Sequence, residues 1–175
     1  MKEKQIVLGG GCFWCIEAVY NRVKGVLSAK SAYAGGKREN PTYENVCSGA
    51  TGHAEVVVIT YDADVITLEE LLDIFFAIHD PTTLNQQGAD KGTQYRSVIY
   101  YSDEEEKEII KRSIAKHQAE FESKIVTEVS ELPEVYEAEA YHQNYYALNA
   151  HQGYCQVVIA PKLQKFMIHF PDKIA

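Results

Sequence analysis

The densest chemistry in the chain lies in Gly9-Gly10-Gly11-Cys12-Phe13-Trp14-Cys15-Ile16-Glu17. Three consecutive glycines cost backbone entropy, so the turn they form needs positive φ or admits another group close to the main chain. A cysteine at the mouth of a following helix sits at the positive end of its dipole, beside unpaired N–H groups, and both favour thiolate over thiol. Cys12 is therefore a candidate nucleophile, against the plain alternative of an inert cysteine packed in a tight turn. Cys12 and Cys15 also have the spacing of a thiol–disulfide pair and half the spacing of a zinc site. Neither Cys47 nor Cys155 has a C-x-x-C partner or a histidine pair nearby to supply the other half, so no metal is expected.

A second chemical stretch runs from Tyr43 to Val57 and contains Thr51-Gly52-His53-Ala54-Glu55. On a strand, Glu55 shares a face with Val57 and Ile59. A carboxyl group in apolar company has a raised pKa and can donate a proton near neutrality. The alternative is a strand-end glutamate in water. His53, a single histidine beside a glycine, is a weaker candidate base.

These residues need a scaffold, and the pattern supplies one. Gln5–Leu8 reads as a strand entering the glycine turn, and Phe13–Val23, stopped by Gly25, as the helix after it. Val26–Ala34 and Ala54–Tyr61 read as core strands. Thr67 and Glu70 form a capping box ahead of Leu68, Leu71, Leu72, Phe75 and Phe76. A second box at Ser102–Glu105 opens a charged helix to about Glu122, whose first turn of acids suits the dipole. Arg96–Tyr101, Val126–Glu131 and Val135–Ala138 read as further strands. The tail is tyrosine-rich (Tyr141, Tyr145, Tyr146, Tyr154) with weak periodicity; Tyr141, Tyr145 and Tyr146 are candidates to line a pocket, and packing against the core is the plainer reading. Several connections are too short for a regular βαβ series, so the expectation is an α+β two-layer sandwich with a mixed sheet and a ferredoxin-like core, not a doubly wound sheet.

The 175 residues fit one domain, 1–175, at roughly 100–200 residues per domain. Hydrophobic residues at 46% and charged residues at 24% exclude disordered and coiled-coil classes. With 25 acidic and 17 basic side chains, the net charge of −8 argues against a nucleic-acid or anionic-membrane binder. The apolar run Ile6–Leu8 is too short for a signal peptide, and no stretch approaches a membrane span. A cytoplasmic protein is expected, in which four cysteines serve catalysis or redox chemistry rather than structural disulfides.

Four ordered motifs carry a family resemblance: Gly11-Cys12-Phe13-Trp14, then Thr51–Glu55, then Asp90-Lys91-Gly92-Thr93-Gln94-Tyr95-Arg96-Ser97, and Gly153-Tyr154-Cys155. Together they resemble the A-type peptide-methionine sulfoxide reductases, over nearly the whole chain. Enzymes of this class reverse methionine oxidation, one enzyme per sulfur epimer. The resemblance implies the S epimer, free or in peptides and proteins, with no cofactor, thioredoxin as reductant and a monomer. It implies that Cys12 attacks the sulfoxide sulfur, that Glu55 protonates the oxygen, and that Tyr43 and Tyr95 hold that oxygen. Phe13 and Trp14 wall the methyl group, Gly52 and His53 lie at the substrate, and Asp90 orders the Cys12 turn. The Cys12 sulfenic acid left behind must meet a second thiol. Cys155 matches a resolving position in the family and ranks first; Cys15 stands where glycine is frequent and can take either role. Cys47 reads as a small packed residue.

Three other functions compete with this reading. A general thiol–disulfide oxidoreductase would use Cys12 and Cys15 without any sulfoxide. A cysteine hydrolase would pair Cys12 with His53 or His142. A peptide-binding module would not need the Cys12 thiol.

Overall fold

The computed structural model describes residues Met1–Ala175. Its strands are β1 (Glu3–Gly9), β2 (Val26–Ala34), β3 (Ala54–Asp62), β4 (Gln86–Gln87), β5 (Asp90–Lys91), β6 (Val98–Tyr101), β7 (Glu128–Glu131) and β8 (Val135–Glu137). Its α-helices are α1 (Phe13–Tyr20), α2 (Tyr43–Cys47), α3 (Leu68–Ile78), α4 (Glu104–Gln118), α5 (Tyr145–Asn149) and α6 (Ala160–His169). Six strands form one sheet in the order β7-β6-β1-β3-β2-β8, and β4 pairs β5 in a separate ribbon. All neighbours in the large sheet are antiparallel except β6 and β7, so the sheet is mixed and the fold is α+β.

Alternation along the strands decides what each face does. Ile6 and Leu8 of β1, Tyr33 of β2, and Val57, Ile59 and Tyr61 of β3 join α1, α3 and α6 in a core of 32 buried residues. The odd-numbered set on β3 includes Glu55, which is thus on the helix-facing side. Val7, Ala32, Ala34, Ala54, Val56, Val98 and Tyr100 make a smaller cluster on the opposite face. Each fully buried large apolar side chain contributes about 1.5–3 kcal/mol, so the helix-facing side holds most of the stability.

α1 is apolar on nearly every side, and seven of its eight residues are buried. It ends earlier than its pattern predicts, because the C-terminal residues capture the segment after it: Lys24 N–H donates to Lys173 O at 2.6 Å, and Ala175 N–H donates to Arg22 O at 2.9 Å. α3 begins at the expected box, with Glu70 N–H donating to Thr67 Oγ1 and Thr67 N–H to Glu70 Oε1, both at 3.1 Å. The second box is displaced by one residue. Asp103 caps α4 by accepting Glu106 N–H at 2.8 Å, and Glu106 reaches back to Ser102 N–H at 2.7 Å. A carboxylate outcompetes the Ser102 hydroxyl as acceptor for the same turn.

The tail differs most from expectation. It is helical, and Cys155 starts a π-helical turn, Cys155–Ile159, that runs directly into α6. Ile159, Leu163 and Phe166 lie along one side and are buried in the core. Pro161 obscures the signal in sequence; it lies where the π-helical turn passes into α6. α2 is a further addition to the expected elements; Thr42 and Asn45 form its capping box.

Candidate active site

Cys12 is the residue before α1 and holds an extended conformation, φ −63° and ψ 130°. The glycines before it are needed for space and for shape. A Cβ on Gly10 would lie 2.9 Å from the His79 ring; Gly11 has φ +91°, and its Cβ would lie 2.7 Å from the Gln87 side chain. Gly11 N–H donates to Tyr95 O at 3.2 Å, which fastens this turn to the 3₁₀ turn Thr93–Tyr95.

The expected ease of forming a Cys12 thiolate is not what this environment gives. Cys12 is only 6% exposed, and burial, then the adjoining Cys15 thiol and the Glu55 charge, push its thiol well above the usual range. The Trp14 N–H at the helix start pulls the other way and is outweighed. Cys15 moves down, chiefly because the Cys12 thiol beside it supports its charged form, with burial opposing. The two thiols at the start of α1 thus bear directly on one another's charge.

Glu55 is 1% exposed on the face it shares with Val57 and Ile59. Its Oε1 accepts the backbone N–H of Phe13 at 3.1 Å, while Oε2 has no partner. Burial pushes this carboxyl up to about 8, with the Phe13 N–H opposing. It is a proton donor at neutral pH, set against the residue next to Cys12.

Tyr43 opens α2 and Tyr95 closes its 3₁₀ turn, and both phenols lie within reach of the Glu55 charge. Burial, then the Glu55 charge, raises both phenols, so both remain O–H donors. Asp90, on β5, accepts the Tyr154 hydroxyl at 2.7 Å; that hydroxyl is 3.9 Å from Cys15 Sγ. Asp90 therefore reaches Cys15 through the Tyr154 hydroxyl.

The aromatic wall is larger than the two residues read from sequence. Trp14 is half-buried and lies flat on Tyr145, centroids 3.7 Å apart at 7°. Its indole N–H donates to His142 Nδ1 at 3.0 Å, and Tyr43 lies near-parallel to it at 6.4 Å. Phe13 has no exposed surface; its ring packs on Tyr33, Tyr43 and His142 behind the wall. In the sequence Tyr145 is only a tail tyrosine and His142 only a possible base; no period in the tail marks their place in this wall.

His53 is buried and fully engaged: Nδ1 accepts Gly36 N–H at 3.0 Å and Nε2 bonds Arg38 O at 2.6 Å. It holds the loop after β2 and has no free nitrogen for a base. Gly52 beside it has φ +75°. His142 is committed to Trp14, and burial lowers its pKa. A cysteine–histidine hydrolase pair has no support here.

All four cysteines are free. Cys155 is not on a loose tail but fully buried in its π-helical turn, where burial and then the charge of Cys15 raise its thiol. Cys47, at the end of α2, adjoins the Tyr43 phenol and lies within reach of the Glu55 charge, so it borders the site rather than simply packing.

Residues 4–174 match the family model described as peptide methionine sulfoxide reductase. A peptide methionine sulfoxide reductase MsrA from a Nitratiruptor species is 60% identical over 172 residues, which is 98% of each chain. Among solved structures, reduced Mxr1 from Saccharomyces cerevisiae is 41% identical with a TM-score of 0.80, over 88% of this chain and 90% of its own. Mxr1 in complex with Trx2 is 31% identical with a TM-score of 0.56, over 82% and 85%.

Proposed function

This chain belongs to the peptide methionine sulfoxide reductase family, and on that footing we propose that it reduces the S epimer of methionine sulfoxide, free or in proteins, with Cys12 as nucleophile and Glu55 as acid. The observation that carries this reading is the protonatable, buried Glu55, bonded to Phe13 N–H and with Oε2 unpartnered. Expulsion of bare oxide from a sulfoxide is prohibitive, so the oxygen must be protonated as sulfur is attacked. Cys12 attacks the sulfoxide sulfur, Glu55 supplies the proton, and Tyr43 and Tyr95 donate hydrogen bonds to the oxygen as charge develops. Methionine departs, and the oxygen remains on Cys12 as sulfenic acid. Trp14, backed by Phe13, forms the apolar side of the pocket, with His53 and Gly52 shaping the loop that borders it.

A second thiol then condenses with the sulfenic acid, releasing water and forming a disulfide. Cys155, at the family's resolving position, is that thiol in this reading, and Cys15, which adjoins Cys12, is the alternative. Attack by Cys15 on either sulfur of a Cys12–Cys155 bridge would expel the other thiolate and pass the bridge on. The Trx2 complex of the yeast relative supports a thioredoxin as the reductant that returns the enzyme to its dithiol state.

Residues 1–175 are read as a single catalytic domain acting as a cytoplasmic monomer. The strands in the order β6-β1-β3-β2, with α1 and α3 as crossovers, support a ferredoxin-like core in a two-layer sandwich. The deciding experiment is turnover of each resolved methyl sulfoxide epimer with dithiothreitol. Reduction of the S epimer alone is expected; equal rates on both, or none on either, would sink the reading.

A further inference from the structure

Glu17 is 2% exposed, one turn of α1 beyond Trp14, and its partners are neutral donors. Oε2 accepts the Ser31 hydroxyl at 2.8 Å, and Oε1 accepts the backbone N–H of Asn144, a residue at φ +54°. Burial raises this carboxyl, with the Ser31 hydroxyl and the Asn144 amide opposing. The N–H that opens α5 thus meets a carboxyl group from another helix. Gln143 pins the same segment to β2: its Oε1 accepts Ser31 N–H at 2.9 Å and its Nε2 donates to Ser31 O at 3.0 Å.

A buried carboxylate without a cationic partner costs stability, and an apolar side chain of similar size would be cheaper there. What this one holds is specific. The segment it fastens carries both groups that fix the Trp14 side chain, the Tyr145 ring beneath its face and His142 Nδ1 on its indole N–H.

We propose that Glu17 is a positioning residue for sulfoxide binding, setting the Trp14 wall from behind through Asn144 and Tyr145. This rests on the reading of Trp14 as part of the substrate pocket. Loss of the carboxylate frees the start of α5, Tyr145 leaves the Trp14 face, and the slot between Trp14 and Tyr43 loses its fixed width. The cost falls on substrate binding, since Cys12 and Glu55 are held by β3 and the glycine turn.

The test uses Glu17→Gln, Tyr145→Leu and the double variant in the full chain. Trp14 is the only tryptophan, so its fluorescence reports this wall without any turnover. In Glu17→Gln, acrylamide quenching of Trp14 should rise, and KM for a peptide methyl sulfoxide should rise about tenfold while the saturating first-turnover rate changes less than about threefold. Tyr145→Leu should give the same pattern, and the double variant should be no worse than Tyr145→Leu alone. Additive effects, or lost thermal stability with unchanged quenching and KM, would overturn the proposal. If Glu17→Gln does not fold, Gln143→Leu loosens the same segment from β2, and unchanged quenching and KM there would equally overturn it. Wild-type enzyme inactive on sulfoxide would instead sink the functional reading, leaving the quenching result to stand by itself.

Discussion

Phe13 N–H donates to Glu55 Oε1 at 3.1 Å, so the proposed acid is tied to the residue next to the proposed nucleophile. One hydrogen bond from the main chain of α1 to a side chain of β3 thus sets the spacing of the two groups.

Cys12→Ser should abolish sulfoxide reduction and leave the fold intact, because a hydroxyl is a far poorer nucleophile at neutral pH. Methionine release in a single turnover, beside a circular dichroism melt, checks both halves. Methionine formed by a cleanly folded Cys12→Ser would show that another thiol attacks.

Glu55→Gln should slow sulfenic acid formation by roughly 10²–10⁴-fold. In wild type the step should fall as pH rises through about 8, where Glu55 ionises, and the variant should lack that descending limb. Rapid-quench single turnovers from pH 6 to 10 measure it, and an identical limb in both proteins would place the acid elsewhere.

The same group predicts a stability difference. The folded pKa of Glu55 lies above its ordinary value of 4.5, so its contribution is fully present below about 4.5 and is lost as pH rises through about 8. Glu55→Gln should therefore gain on wild type across that window, by at most about 1.4 kcal/mol per pH unit. Denaturant melts at pH 5 and pH 8.5 give the sign, and a constant difference would mean that folding leaves the carboxyl's pKa unshifted.

One turnover without reductant should yield Cys12–Cys15 first in Cys155→Ser, and a bridge to Cys155 in wild type. Peptide mapping by mass spectrometry identifies each. Full recycling of Cys155→Ser by thioredoxin would make Cys15 the direct resolver.

Gly10→Ala should destabilise the fold by roughly 1–3 kcal/mol, as overpacking does, because its Cβ would meet the buried ring of His79 and the Phe75 ring. Thermal melts check this, and a neutral result would mean the two rings can move aside.

The glycine turn, Cys12 and the face of Glu55 are legible in the sequence because each obeys a local rule: backbone sterics, helix entry, strand alternation. Val26–Ala34 and the Thr67 box are legible for the same reason. The thiol pKa is not, since it depends on burial by distant segments as well as on the helix dipole. Tyr145 and His142 are hidden because their importance lies in what Trp14 touches across the fold. His53 is held away from acid–base work by Gly36 and Arg38, which belong to another loop.

The sheet order has a consequence for how the protein is made. Val7 of β1 pairs with Val58 on one side and Tyr100 on the other, so the first strand translated waits for both neighbours. Such non-local pairing folds on the order of milliseconds to seconds, slower than helical bundles. Through that interval Cys12 is an ordinary, open thiol. Only when β3, the Tyr95 turn and the C-terminal helices dock is it covered to 6% exposure, so this cysteine is most open in the newborn chain.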